Sequence, residues 1–507
     1  MSQPEAPQSR RANRDSKNSK AAKPAKAAKP VTDATPGVGP FAKHPRAWLA
    51  AAIGVAFLLL GTGAVFAGAA VGSGNGPAGL GPSSSADAAR PVPVDMPAAS
   101  RLRTCSVAAL ATDPRLASFA GAVVNASTGE LLFDRSASTG VTQGAVVQVL
   151  TAAAALNILG PDYRMSTRVF STSTPNKIAL VGGGDPTLSR LPPGVESVYS
   201  GAPKLTDLAT QVAAGYSGDS ADIDSIVLDA TMWSAGDKWD STWPRAEQTG
   251  GNLSEVTALQ VDGDRNDPAA QTSARSTDPV TRAGKLFAAA LEDAFDAADN
   301  PGFDADSVVF SAGSADTSKA KLGEVLSQPV SVLINQMLVA SDATLAETLA
   351  RVISKQMSLG GSAASISQAI TSAVAVYEVD TTGVVVHDGS GTSGANAVPP
   401  AFMAKFMVKV SQGAANLNLI SDSLAVAGKS GSLANRFSGA NAAAKGAVTG
   451  KTGANGGVFS LAGTIAAADG TQLAFAFYAL GAKDTSRAAI DTLATGAFSC
   501  GDNLSNN

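Results

Sequence analysis

Residues Trp48 to Val71 read WLAAAIGVAFLLLGTGAVFAGAAV, 24 residues without a charge. At about 1.5 Å per helical residue such a run crosses the ~30 Å hydrocarbon core of a bilayer. Few features limit a chain so strictly: without water to satisfy its backbone the run can only be a helix, and it separates an N-terminal part from a C-terminal one. The N-terminal part is basic. Residues 1–46 hold ten Lys and Arg against three acids, and the remainder holds 28 against 39, the asymmetry expected of a cytoplasmic tail. That tail, rich in Ala, Lys and Pro, has too little apolar surface to fold and is expected to be disordered. Taken alone it has two further readings, a nucleic-acid-binding arm or a merely solvated one. The segment AVFAGAA offers small-residue spacings that a signal peptidase could accept, but the length of the run and of the tail before it favour a retained anchor.

The expected organisation is a tail over 1–46, a single-pass anchor over 47–71, a Gly/Ser/Pro-rich linker over 72–102 and a folded extracytoplasmic body beyond it. Two cysteines, Cys105 and Cys500, stand at the two ends of that body. Export puts both in an oxidising compartment, where a disulfide joining them is expected, against the alternative of two unpaired thiols. There are two histidines, and His44 lies in the tail. A His/Cys zinc site wants three or four ligands, so the count nearly excludes one, and no metal or cofactor is expected. Any Ser-His-Asp triad would have to use His387. Aromatic residues at 5% leave little to stack on bases, so no nucleic-acid partner is expected of the body.

Within the body, Ser118 to Val124 and Glu130 to Asp134 flank Asn-Ala-Ser-Thr-Gly turn chemistry and read as a hairpin. Ala145 to Leu159 is an apolar helix stopped by Gly160-Pro161, with so little polar surface that it must be buried. Ile178 to Val181 is a short strand before the loop Gly182-Gly-Gly-Asp-Pro186. Residues 166–329 mix strands (Ser225 to Leu228, Ser307 to Phe310) with helices (Leu205 to Ala214, Val280 to Ala297) and long polar connections, a pattern suggesting one or two inserted subdomains. Beyond them lie helices at Val330 to Leu338, Asp342 to Leu359, Ser362 to Tyr377 and Pro400 to Ser411, with a strand at Val384 to His387. Strands at Ala447 to Gly450, Val458 to Ala466 and Gln472 to Leu480 precede a last helix, Asp484 to Thr495. The terminal elements are expected to pack as one α+β unit, 103–165 with 330–507, interrupted by the insertion.

Lys451-Thr452-Gly453 after a strand is a weak signal by itself, but its context is specific: AVTGKTGANGGVFSLAG from Ala447, preceded by AGKSGSL from Ala427 with Arg436-Phe437, by Asp388-Gly-Ser-Gly391 and by SDATLAE from Ser341. With LVGGGDPTLS from Leu180 and LTAAAALNILGPDYR from Leu150, this order resembles the peptidase S13 family over about residues 103–500. That family comprises the low-molecular-mass class C penicillin-binding proteins, D-alanyl-D-alanine carboxypeptidases and endopeptidases of peptidoglycan metabolism. The resemblance implies a penicillin-binding-protein/β-lactamase-like fold, an antiparallel sheet flanked by helices, with a large insertion. It also implies a cleft where three motifs meet: S-x-x-K, carrying a serine nucleophile and the lysine that takes its proton; S-x-N, bridging to that lysine; and K-T-G, holding the substrate's terminal carboxylate. The nucleophile's amide and the one just after K-T-G would form the oxyanion hole.

The chain departs from this pattern at the positions that carry the chemistry. Ungapped alignment on Leu150 to Leu156 puts Ala145 at the nucleophile position and Gln148 at the lysine position. A methyl group has no lone pair to attack a carbonyl, and a neutral amide is no general base near pH 7. In the second motif Ser341 is kept but Ala343 replaces asparagine. In the third Lys451, Thr452 and Gly453 are kept, and Ala454 stands where a threonine is common. The only Ser-x-x-Lys, Ser318 to Lys321, lies in a polar stretch and reads as a solvated loop. Three readings are open. The leading one is a cell-membrane pseudoenzyme that binds a peptidoglycan stem peptide through Lys451, Thr452, Gly453 and Ala454, or a wall-synthesis protein. The second is a carboxypeptidase rescued by Ser341 with Lys451. The third is a structural envelope protein whose cleft is filled.

Overall fold

The computed structural model describes residues 102–506; the expected tail, anchor and most of the linker lie outside the described residues. In chain order, β1 (Ser118–Asn125) and β2 (Leu131–Arg135) form a hairpin and are followed by α1 (Gln148–Ile158). Next come β3 (Ser166–Ser171), β4 (Lys177–Gly182), α2 (Leu205–Gly215), β5 (Ser225–Asp229), α3 (Pro279–Ala297), β6 (Val309–Ala312) and β7 (Lys321–Leu326). The chain continues through α4 (Val330–Ala340), α5 (Ala343–Gln356), α6 (Ala363–Val374), α7 (Pro400–Gln412), β8 (Ala425–Val426), β9 (Val448–Asn455), β10 (Val458–Ala466), β11 (Gln472–Leu480) and α8 (Ser486–Cys500).

The main sheet is antiparallel in the order β2-β1-β11-β10-β9-β8. Its hairpin forms because Asn125 turns its side chain onto the next backbone amides, Oδ1 accepting from Ser127 at 2.9 Å and Thr128 at 3.2 Å, while Gly129 takes φ +74°. Asn and Gly are suited to these two tasks. β11 is the central strand, and its alternation feeds two cores. Ala474, Ala476 and Tyr478 face the helices α1 and α4 to α7, whereas Leu473, Phe475, Phe477 and Ala479 face α8. Period-two alternation with both faces apolar is what a strand covered on both sides requires.

α1 is buried from Gln148 through Leu156. With no polar stripe to offer water, such a helix must be wrapped on all sides. Its start is not α-helical: Gly144–Val147 forms a 3₁₀ turn that runs into the helix, so the expected single helix from Ala145 is two elements.

Residues 166–326 build a second sheet, order β6-β5-β4-β3-β7, in which β4, β5 and β6 run parallel. Parallel neighbours need crossovers, and α2 and α3 supply them, packing over a separate apolar core. The ends of this segment lie side by side, since Ser327 N donates to Met165 O at 2.8 Å and Val330 N to Tyr163 O at 2.9 Å.

The strand expected at Val384 to His387 is absent; only an isolated bridge, Val385 to Ala397, forms. Asp388 is the cause. Its carboxylate accepts from Gly391 N (2.8 Å), Ser393 N (2.6 Å), Asn396 Nδ2 (2.7 Å) and Trp243 Nε1 (2.8 Å), folding the chain into a loop before a ladder can extend. The last helix runs on to Cys500, and at Gly496 the bare backbone lets Val107 and Leu110 pack closely.

Cys105 and Cys500 are joined in a disulfide, their Cα atoms 5.4 Å apart and 395 residues apart in sequence. Beside it Cys105–Ser106 pairs with Leu504–Ser505 in parallel. Because a cross-link that closes so long a loop restricts the unfolded chain most, Cys500→Ala is expected to lower stability by about 2–5 kcal/mol. Chemical denaturation under non-reducing conditions reads this directly, and equal midpoints for the two proteins would show that the termini are held by the strand pair alone.

Candidate functional site

The 3₁₀ turn ahead of α1 is held in a clamp of glycines. At Gly453 of β9 a Cβ would meet the Gln143 carbonyl and, at 3.0 Å, the Ala145 amide; at Gly391 it would meet the Gly144 carbonyl. Ser460 Oγ donates to Gln143 O at 2.6 Å, and Asn455 Nδ2 donates to Thr392 O at 2.6 Å, tying the third-motif strand to the Asp388 loop. Backbone therefore packs on backbone here, and the start of α1 is fixed against β9.

Beside this clamp lies a hollow of about 300 Å³. It brings together Ala145, Gln148, Ser341, Ala343, Thr452 and Ala454, so residues from all three motifs share one cleft. Gly453 forms its clamped edge. Lys451 is not on the wall: it is buried behind Ser341, with Nζ donating to Ser341 Oγ at 2.7 Å and to Thr452 O at 2.9 Å. Burial without a carboxylate partner pulls its ammonium down to about 7. The tripeptide lies inside β9 rather than after a strand.

Ser341 is presented by a sharp corner. It takes a left-handed conformation (φ 56°) at the end of α4, and the next residue, Asp342, caps α5 by accepting from Leu345 N at 2.9 Å. The other carboxylate oxygen of Asp342 accepts from Arg265 Nη2 at 2.7 Å and Tyr199 Oη at 3.0 Å, both from the inserted segment. Burial alone would raise this carboxyl, but Arg265, Arg275 and the Leu345 amide outweigh it and hold it below its usual range.

Gln148 cannot use its amide fully. Nε2 donates to Ser390 O at 3.2 Å, while the buried Oε1 has no protein partner. Ser390 N in turn donates to Glu347 Oε1 at 2.7 Å, and Glu347 Oε2 is likewise buried and unpartnered. Burial, with the charge of Asp388 added, pushes the Glu347 carboxyl up to about 8, so it is protonated at neutral pH. Gln148 and Glu347 thus grip opposite ends of one residue of the Asp388 loop as two neutral groups. The hollow itself presents no hydroxyl at position 145 and no cation at 148.

His387 bonds Asp240 Oδ2 through Nε2 at 2.9 Å and does not line the hollow. Ser318 Oγ bonds Asp316, and Lys321 pairs with Glu324, away from the cleft. The motif pattern assigns no individual role to several cleft residues. Ser432, which accepts from Thr452 Oγ1 at 2.8 Å, and Glu347 both lie in the motif stretches, where their polarity among small residues is a usable signal. Glu247, Asn252, Gln271 and Thr272 come from the inserted segment, and no local pattern marks them.

The sequence matches the family described as D-Ala-D-Ala carboxypeptidase 3 (S13) over residues 103–276 and 255–496. Carboxypeptidase DacB of Mycolicibacterium smegmatis is 33% identical over 419 residues, covering 81% of this chain and 87% of that protein. A carboxypeptidase of Mycobacterium tuberculosis is 31% identical over 408 residues, 78% of this chain and 84% of its own length. Among solved structures, penicillin binding protein 4 of Haemophilus influenzae superposes with a TM-score of 0.61 at 19% identity, covering 75% of this chain and 95% of that one. That last likeness is one of fold.

The protonated Glu347 has a consequence for stability. Between about pH 4.5 and 8 the folded chain keeps a proton that the unfolded chain releases, so this group lowers stability as pH rises through that window. Glu347→Gln is expected to remove the decline, flattening the pH profile by about 5 kcal/mol. Denaturation midpoints measured from pH 4 to 9 test it; parallel profiles for the two proteins would mean that the carboxyl ionises normally.

Proposed function

The chain belongs to the D-Ala-D-Ala carboxypeptidase 3 (S13) family, and we propose that it is a member that has kept the fold and the cleft while losing acyl transfer. The observation that carries this reading is the wall of the hollow at the start of α1, where Ala145 and Gln148 occupy the positions at which the family pattern has its serine and lysine. Ala343 removes the amide side chain of the second motif as well. Losses within one catalytic unit are not additive, so a single surviving member restores little.

What the cleft retains suits binding. Thr452 on the wall carries a hydroxyl, bonded to Ser432 beside it, Lys451 lies behind Ser341 as a buried cation, and Ala145 and Ala454 border the same hollow. On this reading the ligand is a D-Ala-D-Ala-ended stem peptide with its carboxylate toward the Lys451–Thr452 end; a wall-synthesis protein presenting such a group is the other partner. The proposal includes a single-pass anchor at Trp48 to Val71, with the body outside the cell membrane. A vestigial, filled cleft is not supported, since about 300 Å³ stays open.

One observation favours a second reading, residual acyl transfer by Ser341: its Oγ lies 2.7 Å from a lysine whose burial leaves it partly neutral near pH 7, as a general base must be. Incubation of the full chain with a fluorescent penicillin separates the two. No covalent adduct is expected, whereas a stoichiometric adduct lost in Ser341→Ala would overturn the pseudoenzyme reading.

Carboxylate binding should require Lys451 as the ammonium. Above about pH 7 the free protein must take up a proton to bind, so affinity for a D-Ala-D-Ala peptide is expected to fall by up to tenfold per pH unit. Calorimetry in buffers of different ionisation enthalpy would record the uptake. A pH-independent affinity, or one unchanged in Lys451→Ala, would remove Lys451 from the ligand site.

A further inference from the structure

A further hollow lies outside the cleft. It has a volume of about 520 Å³ and shares no lining residue with the motif site. It sits beyond the carboxyl ends of the parallel strands β5 and β6, where Ala230 and Thr231 leave one strand and Ala312 and Gly313 the other. The start of α3 closes one side. Crevices at the carboxyl ends of parallel strands are where open sheets flanked by helices bind small molecules, and the volume is within the usual range for a ligand pocket. Its walls are mainly apolar, with Met232, Trp233, Val256, Val280 and Phe310 facing inward.

A second hollow of about 310 Å³ adjoins it, and Thr231 and Met232 line both. This one holds two arginines, Arg164 and Arg168. Neither is joined to a carboxylate among the described residues, and the Nε of Arg168 is buried without a protein partner. The one carboxylate on that wall, Asp229, is already engaged: Oδ1 accepts from Thr231 N at 2.9 Å and Thr231 Oγ1 at 2.6 Å, and Oδ2 from Ala315 N at 2.8 Å. On the apolar side Lys238 is paired with Glu255 at 2.6 Å, while Lys355 has no ion-pair partner among the described residues. Two guanidinium groups against the single Asp229 carboxylate leave the arginine-lined hollow with a net positive wall, although Arg164 Nη1 also donates to Ser327 O at 2.7 Å. An apolar cavity and a cationic one thus share a wall, half of it a flexible methionine side chain, which adapts readily to different occupants.

We propose that the inserted segment carries a second ligand site, for an amphipathic anion whose apolar body occupies the Met232–Trp233–Val280–Phe310 hollow and whose carboxylate or phosphate is held by Arg164 and Arg168. The site is independent of the reading given to the motif cleft, because the two share no wall. Guanidinium pairs bind either anion through planar N–H donors, so the head group is decided by experiment.

Full-length protein in phosphatidylcholine nanodiscs is titrated calorimetrically with octanoate and, separately, octyl phosphate, with empty discs as the background. Saturable one-to-one binding of at least one probe is expected, and the tighter of the two identifies the head group. Binding should fall at least tenfold in Arg164→Ala/Arg168→Ala and be lost in Val280→Trp, which fills the apolar hollow. Lys451→Ala, in the motif cleft, should leave it unchanged. Titrations of both probes indistinguishable from empty discs would overturn the proposal, as would binding that survives the double arginine substitution. The arginine variant changes one exposed and one half-buried side chain, so it remains informative if the Val280 variant fails to fold.

Discussion

An α-helix with no polar face is the constraint to which the rest of the described structure answers. α1 presents Val149, Leu150 and four consecutive alanines around its circumference, all buried, and burial of apolar surface is worth roughly 25 cal/mol per Å² only if every side is covered. Covering it takes α4, α5 and α6, while α7 and the alanine face of β11 pack on each other to complete the same core. Those alanines matter geometrically, because small side chains let a sheet and a helix layer approach closely around a central element. Its last turn opens to solvent at Asn157, while at its start, beside the cleft, two glycines replace side chains so that backbone can close on backbone.

This arrangement holds the cleft open with Ala145 and Gln148 on its wall. The start of α1, the corner at Ser341 and β9 are held by structural contacts that do not involve a nucleophile: the glycine clamp, the Asp342 cap and the ladder of β9 with β10. None of these contacts depends on a hydroxyl at position 145 or an amine at 148. What stands at 148 is felt instead in the electrostatics. Glu347, with no cation at position 148 to offset its desolvation, keeps its proton, and Gln148 leaves an oxygen unpaired, at a cost on the order of 1–3 kcal/mol. Asp342 shows the opposite case, a fully buried carboxylate kept charged because Arg265 and Arg275 of the inserted segment, with the Leu345 amide, outweigh its desolvation. The insertion therefore helps to shape the cleft as well as adding surface to it.

Much of this was legible in the residues. The strands Val458–Ala466 and Gln472–Leu480 have the bounds that their apolar runs and flanking turns indicate, because a strand covered on both faces writes its length directly into composition. The apolar run of α1 likewise declared its burial, and the absence of Ser and Lys at 145 and 148 is a fact of sequence once Leu150 to Leu156 sets the register. The strand read at Val384 to His387 failed for a through-space reason: Asp388 draws four donors onto one carboxylate, two of them from side chains, including Trp243 of the insertion.

Sequence alone determined which chemistry the side chains at 145 and 148 cannot perform, since a methyl group and a neutral amide lack the lone pair and the basicity in any fold. Only the tertiary structure decided where the surviving groups point. Lys451 and Ser341 are 110 residues apart and Arg265 and Asp342 are 77 apart, so their pairing, the desolvation of the lysine and the arginine-lined hollow beside Met232 all depend on elements that meet only after folding. Local periodicity reports the neighbours within a helix turn or a strand pleat; it carries no information about which distant side chain closes the remaining side of a site.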